Sequence, residues 1–202
     1  RAGRACVCVA GFRRRDARSR GAARELVDGK GNGGGRAPAG SLLYAARRGD
    51  QHWQFEQFAN YSLLDASKSQ VVLSEKEAFC LAPTDAIDLT APGAQWSPYS
   101  IGLGTACGDV NSIWTRETLD AGWGDTYVQY IPGQSFDITN LPNGRYFIQV
   151  KANPGGVLYE RIGTNNTSYR RVILSGTKGH RTVKVPPYHG IDSERFCYYC
   201  GF

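Results

Sequence analysis

From Ser41 onward, apolar and polar positions alternate in short runs broken by turn residues. FANYSLLDA (58–66) alternates and ends in the polar turn ASKSQ. VVLSEKEAFCLA (71–82) reads as one or two strands. DTYVQYIPGQSFDIT (125–139) predicts two strands about the Pro-Gly turn at 132–133. LPNGRYFIQVKANP (141–154) opens on an Asn-Gly turn and continues as a strong strand. TNNTSYRRVILSG (164–176) and HRTVKVPPY (180–188) follow. Strands at a spacing of about ten residues with turn signals between them predict an all-β fold. The expectation is a single antiparallel β-sandwich-like domain with long loops, and no internal repeat stands out.

The pattern is different before Ser41. Residues 1–40 are mostly Arg, Gly and Ala, and KGNGGGRAPAG (30–40) has no apolar period. Such a stretch buries too little to offset its ordering entropy, so a disordered segment is expected there. RDARSRGAARELV (15–27) is a candidate short basic helix. The domain reading is therefore a low-complexity segment over 1–40, a folded domain over 41–195 and a tail over 196–202. The chain has no Met, which reads as a processed chain or a fragment of a longer frame. CVCVAGF after RAGRA has the look of a very short signal core but lacks a clean cleavage site.

Charge follows the same boundary. Residues 1–40 carry nine Arg and one Lys against three acids, a net of +7. The whole chain is +6, so residues 41–202 have a net of −1. The basic segment is either an arm for an anionic surface or a leader unrelated to the domain, and the rest has no global bias toward nucleic acid. No run reaches the ~18 apolar residues of a membrane helix.

The six cysteines fall in three groups. Cys80 and Cys107 are most simply a structural disulfide between strands, which suits an exported protein of the cell envelope or extracellular space. Cys197 and Cys200 have C-x-x-C spacing. With Cys6 and Cys8 they nominally offer four thiolates to zinc, though a disulfide or free thiols is the simpler reading. Asn60, Asn165 and Asn166 lie in short glycosylation patterns.

The candidate chemistry starts at GDQHWQF (49–55), where Asp50, His52 and Gln54 share one face of a strand. Of the three, only His52 is a typical transition-metal ligand. Further blocks follow in order: EQFANYSLLD, KEAFCL, Asp-Thr-Tyr at 125–127, DIT-N-LPNGRY, and Asn153-Pro154 followed by Glu160 and the pair Asn165-Asn166. As an ordered set covering about 41–195, they resemble the lysyl oxidase family, in particular its bacterial members.

That resemblance implies a copper-dependent amine oxidase on a sandwich-like domain. In the family, three His in an H-x-H-x-H pattern hold copper, and a Lys and a Tyr are joined into a lysine tyrosylquinone. The quinone condenses with a primary amine, a base removes the α-proton, and hydrolysis releases an aldehyde. O₂ then reoxidises the cofactor, giving peroxide and ammonia. Carried over, the quinone pair is Lys76 and Tyr127, and the ligand positions are Asp50, His52 and Gln54. The implied partner is an amine or a lysine-containing protein. Two of the three expected imidazoles are replaced here, by a carboxylate and a neutral amide, and neither substitutes well for imidazole on Cu(II).

Each residue also has a plainer reading. His52 suits a strand residue beside Trp53, Lys76 a solvated charge between Glu75 and Glu77, and Tyr127 a sheet aromatic. Asp125 either orients a nearby base or starts a strand. NP-GGVLYERIGTNN (153–166) resembles a turn of CARDB-type adhesion sandwiches, in which an acid and an Asn pair tie a loop to the last strands. Three functions remain open: an oxidase weakened or lost at its copper site, an active oxidase completed by other residues, and a non-enzymatic adhesion or surface-binding module.

Overall fold

The computed structural model describes residues 6–12, 20–26, 36–47, 50–56, 58–73, 78–97, 107–127, 135–158, 160 and 162–187. Strands β1 (Cys6–Phe12), β2 (Arg20–Leu26), β3 (Arg36–Ala45), β4 (His52–Phe55) and β8 (Trp114–Asp120) form one antiparallel sheet in the order β4-β3-β2-β1-β8. A second has the order β12-β11-β10-β5-β6, built from β5 (Ala59–Leu64), β6 (Gln70–Leu73), β10 (Gly144–Ala152), β11 (Thr167–Thr177) and β12 (His180–Lys184). A two-stranded ribbon pairs β7 (Asp85–Ala86) with β9 (Trp123–Gly124). The described residues contain no helix, as an all-β sandwich requires.

The second sheet follows the sequence pattern closely. β11 alternates buried Val172 and Leu174 with exposed Arg171 and Ile173. Its register with β10, from Gly144↔Leu174 to Lys151↔Thr167, keeps Tyr146 opposite Val172 on the inner face. Leu63, Tyr146, Val172 and Leu174 form one core cluster, closed by Phe136, Ile138 and Leu141 from the loop before β10. A second cluster joins the two large sheets. It contains Leu42 of β3, Trp53 and Phe55 of β4, Ala59 of β5, and Phe79 and Leu81. Phe55 is fully buried, and removing its ring would cost about 3–5 kcal/mol.

Three expectations need correction. The low-complexity stretch is not without regular structure: β1, β2 and the start of β3 lie within residues 1–40. Strand pairing uses backbone N–H and C=O groups, so a sequence poor in apolar residues still pairs when a neighbouring edge is available. Here β1 pairs along its whole length with β8, from Cys6↔Asp120 to Phe12↔Trp114. The candidate helix over 15–27 is instead β2 through its Arg20–Leu26 portion. The segment 125–139 is not strand in its described parts, 125–127 and 135–139. Its apolar residues Phe136 and Ile138 cap a core from a loop, which gives the same alternating signal as a half-buried strand.

The turn from β8 to β9 aims the next segment at the core. Gly122 sits at φ +84°, and a Cβ there would lie 2.7 Å from the Asp88 carbonyl oxygen. The Gly122 carbonyl accepts the N–H groups of Ile87 (2.9 Å) and Asp88 (3.0 Å). This close backbone approach needs glycine.

Candidate functional site

Tyr127 is delivered by the ribbon. Thr84 N–H donates to the Gly124 carbonyl (3.0 Å), and Thr126 N–H donates to the Thr84 hydroxyl (2.8 Å), which fixes the Asp125-Thr126-Tyr127 triplet. The Tyr127 hydroxyl donates to the Cys80 carbonyl and accepts the Cys80 N–H, both at 3.0 Å. Its ring meets Phe79 edge-on, with centroids 5.2 Å apart. Cys80 is bonded to Cys107 with Cα atoms 5.9 Å apart, as the sequence suggested. Cys107 in turn accepts the Trp53 N–H through its carbonyl (3.0 Å), tying the disulfide to β4.

Acids surround this phenol. Burial, then the Asp125 charge and, less strongly, Glu117 and Asp50, push the Tyr127 hydroxyl far above the usual tyrosine range. Burial followed by Asp125 also raises Tyr61. Asp125 thus lies within electrostatic reach of two tyrosines. The phenol of Tyr127 stays protonated and serves as both donor and acceptor.

Glu117 is the residue that sequence reasoning missed. It is 0% exposed. Its Oε2 accepts the Leu81 N–H at 3.2 Å, and its Oε1 has no hydrogen-bond partner among the described residues. Burial pushes its carboxyl up to about 8, with the Asp125 charge adding to the rise and the Leu81 and Phe55 backbone groups opposing it. Glu117 is therefore mostly protonated at neutral pH. Nothing in TRETLD marks a buried acid: Thr115, Glu117, Thr118 and Asp120 of β8 are buried while Trp114 is 51% exposed.

The expected ligand positions are partly gathered. His52 and Gln54 share one face of β4, and the Gln54 amide nitrogen lies 3.1 Å from His52 Nε2. Asp50 precedes the strand in a turn closed by its N–H on the Arg47 carbonyl (3.0 Å), and it is 7% exposed. Among the described residues, no group of three His, Cys, Asp or Glu converges as a metal cluster. One imidazole, already paired with an amide, beside a carboxylate is a donor set that does not fit copper as three imidazoles would. Lys76 lies outside the described residues, as do the side chains of Cys6 and Cys8 and the whole of Cys197 and Cys200. Among the described residues, the loop after β10 is tied through Asn153 rather than through side chains of the Asn165-Asn166 pair. Asn153 Nδ2 donates to the Leu158 carbonyl (3.0 Å) and to Glu160, while its Oδ1 accepts Val157 N–H (2.8 Å) and Leu158 N–H (3.0 Å).

An antiparallel sandwich with a tyrosine hydroxyl locked on the backbone of a disulfide-bonded cysteine is the class of protein that fold and site define. The lysyl oxidase family model matches residues 41–183. Protein-lysine 6-oxidase of Rattus norvegicus is 32% identical over 143 residues, 68% of this chain and 30% of the rat protein. That of Sus scrofa is 32% identical over the same length and 50% of its own chain, and human lysyl oxidase homolog 1 is 29% identical over 128 residues. The chain belongs to the lysyl oxidase family. It spans half or less of the length of these relatives.

Proposed function

We propose that this chain is an amine-directed lysyl oxidase-like module in which oxidation of the amine is weakened or lost. Its relatives are named for acting on protein lysine, so the partner in this reading is a lysine-bearing protein presented to the site at Tyr127. The family reaction is copper- and quinone-dependent oxidative deamination of a primary amine to an aldehyde. The observation that carries the weakening is the pairing of Gln54 with His52 Nε2, which engages the single imidazole of the set. Loss of two imidazoles should lower copper affinity by orders of magnitude.

Other features support the same site. Lys76 is four residues from Cys80, the residue whose peptide groups Tyr127 grips. That is compatible with joining the two side chains. The disulfide supports an exported chain acting in an oxidising compartment. No helix among the described residues is long and apolar enough to cross a membrane.

Copper titration of the full chain, followed by aerobic incubation, tests the reading. The expected result is weak Cu(II) uptake, no quinone absorbance and no peroxide released with an alkyl amine. The double variant Asp50→His, Gln54→His should bind copper much more tightly. A quinone band in the unaltered protein that disappears in Lys76→Ala and in Tyr127→Phe would overturn it.

A further inference from the structure

The outer face of the second sheet carries cations and no acid. Pairing register places Arg145, Ile173 and Lys184 in one row across β10, β11 and β12. Phe147 pairs with Arg171 and Gln149 with Tyr169 in neighbouring rows, and Lys151 pairs with Thr167. Paired residues point to the same side of a sheet, so all of these share the face opposite Tyr146, Val172 and Leu174. Arg145, Lys151, Arg171 and Lys184 are exposed. None of the four has a carboxylate partner among the described residues. The β5–β6 turn adds a fifth cation: Lys68 Nζ sits 4.6 Å from the Tyr169 ring centroid and 6.0 Å from that of Phe147. The acid of that turn, Asp65, is occupied by the Ser67 N–H and hydroxyl and the Ser69 N–H.

This charge is local. Residues 41–202 are −1 overall, so five cations on one face mean that acids dominate elsewhere in that region. Along β10, Arg145 and Lys151 are ~20 Å apart, and Lys184 lies two strands, ~10 Å, from Arg145. Neighbouring cations are thus within about one or two screening lengths at physiological salt and act together on a ligand.

We propose that this face is a docking surface for an anionic polysaccharide, independent of whether the chain oxidises amines. Three observations select that occupant. A lysine-rich chain would be repelled by five cations, so the face does not bind the amine-bearing partner. The Lys68 ammonium sits 4.6 Å from the Tyr169 ring centroid, which puts a cation beside the aromatic of this face and favours a charged ligand over a stacked base. The Cys80–Cys107 disulfide suits an oxidising compartment, which favours an extracellular polyanion over intracellular nucleic acid. The flat row of guanidinium and ammonium groups reads repeated charge, with Arg145 and Arg171 offering paired donors to carboxylate or sulfate oxygens.

The test compares the full chain with two variants of equal charge change. One is Arg145→Glu, Arg171→Glu, Lys184→Glu; the other is Arg13→Glu, Arg14→Glu, Arg15→Glu in the basic N-terminal segment. Binding is measured at physiological salt to heparin and alginate, to a single-stranded DNA oligonucleotide and to vesicles containing phosphatidylserine. The expected result is glycan binding that falls about tenfold or more in the sheet variant and changes little in the N-terminal variant. Should the sheet variant fail to fold by circular dichroism, the neutral pair Arg171→Gln, Lys184→Gln is compared in the same way and should show a smaller loss in the same direction. Equal losses in the sheet and N-terminal variants, no glycan binding by the unaltered chain, or tighter binding to DNA or vesicles than to either glycan would overturn the proposal.

Discussion

Glu117 of β8 and Tyr127, just after β9, grip consecutive residues of one extended segment, Leu81 and Cys80. The Glu117 carboxyl holds the Leu81 N–H at 3.2 Å, and the Tyr127 hydroxyl holds both peptide groups of Cys80 at 3.0 Å. Phe79, just before them, is bridged to Phe55 through N–H···O bonds of 2.7 and 3.0 Å. The segment 79–81 is thereby fixed at three successive residues, directly downstream of Lys76.

Glu117 makes stability fall as pH rises. Its folded carboxyl sits at about 8, above the ordinary 4.5, so the folded state holds a proton that the unfolded chain has released between those values. Stability is then full below pH ~4.5, declines as pH climbs toward 8, and levels off beyond it. The loss is about 5 kcal/mol as an upper figure. Glu117→Gln keeps an acceptor for Leu81 N–H and carries no charge, so the decline should flatten. Urea unfolding midpoints at pH 5, 7 and 9 for both proteins measure this. Parallel curves would show that Glu117 is not the group responsible.

Tyr127→Phe leaves the Cys80 N–H and C=O without their shared partner. The expected destabilisation is about 1–3 kcal/mol, with ring packing on Phe79 kept. The same phenol should stay protonated where exposed tyrosines ionise, near pH 10. A spectrophotometric titration at 295 nm should therefore show one fewer late-titrating tyrosine in Tyr127→Phe. An unchanged late phase would place the raised hydroxyl elsewhere.

The Cys80–Cys107 bond closes a loop with a sequence separation of 27. Loop-closure entropy assigns it about 3–4 kcal/mol. The paired replacement Cys80→Ser, Cys107→Ser should lower the melting temperature by that equivalent, and reductant should shift the unaltered protein but not the double variant.

What the sequence disclosed depended on whether apolar residues marked the buried face. β11 buries Val172 and Leu174 in alternation with exposed positions, and β5 and β10 carry apolar runs that bury Leu63 and Tyr146, so these strands are legible. β8 inverts the pattern by burying Glu117 and three other polar residues, so periodicity passes over it. β1 and β2 lie in Arg-, Gly- and Ala-rich sequence, and their pairing depends on an edge supplied by β8, a hundred residues away in the chain. For the candidate site, the sequence singles out His52 and Tyr127 because they sit in ordered blocks. It does not disclose the closure of Gln54 on His52, since a side-chain hydrogen bond between residues two apart depends on rotamers.

Asn153 anchors the loop that follows β10, and two of its properties can be separated by substitution. Its φ is +43°, a conformation that Asn tolerates better than Ala. Its side chain bonds Val157 N–H, Leu158 N–H, the Leu158 carbonyl and Glu160, while its own N–H donates to the Phe58 carbonyl at 2.7 Å. Asn153→Gly keeps the backbone geometry and loses the side-chain bonds, which should cost about 1–3 kcal/mol. Asn153→Ala loses those bonds and adds strain of about 1 kcal/mol or more at the left-handed backbone. The order of stability should therefore be Asn, then Gly, then Ala, read from denaturant midpoints at constant slope. Because Leu158 belongs to the same core cluster as Phe79 and Tyr127 packs against it, hydrogen exchange at Leu81 should quicken in the same order. A glycine variant as stable as the parent would mean that the side-chain bonds only replace water.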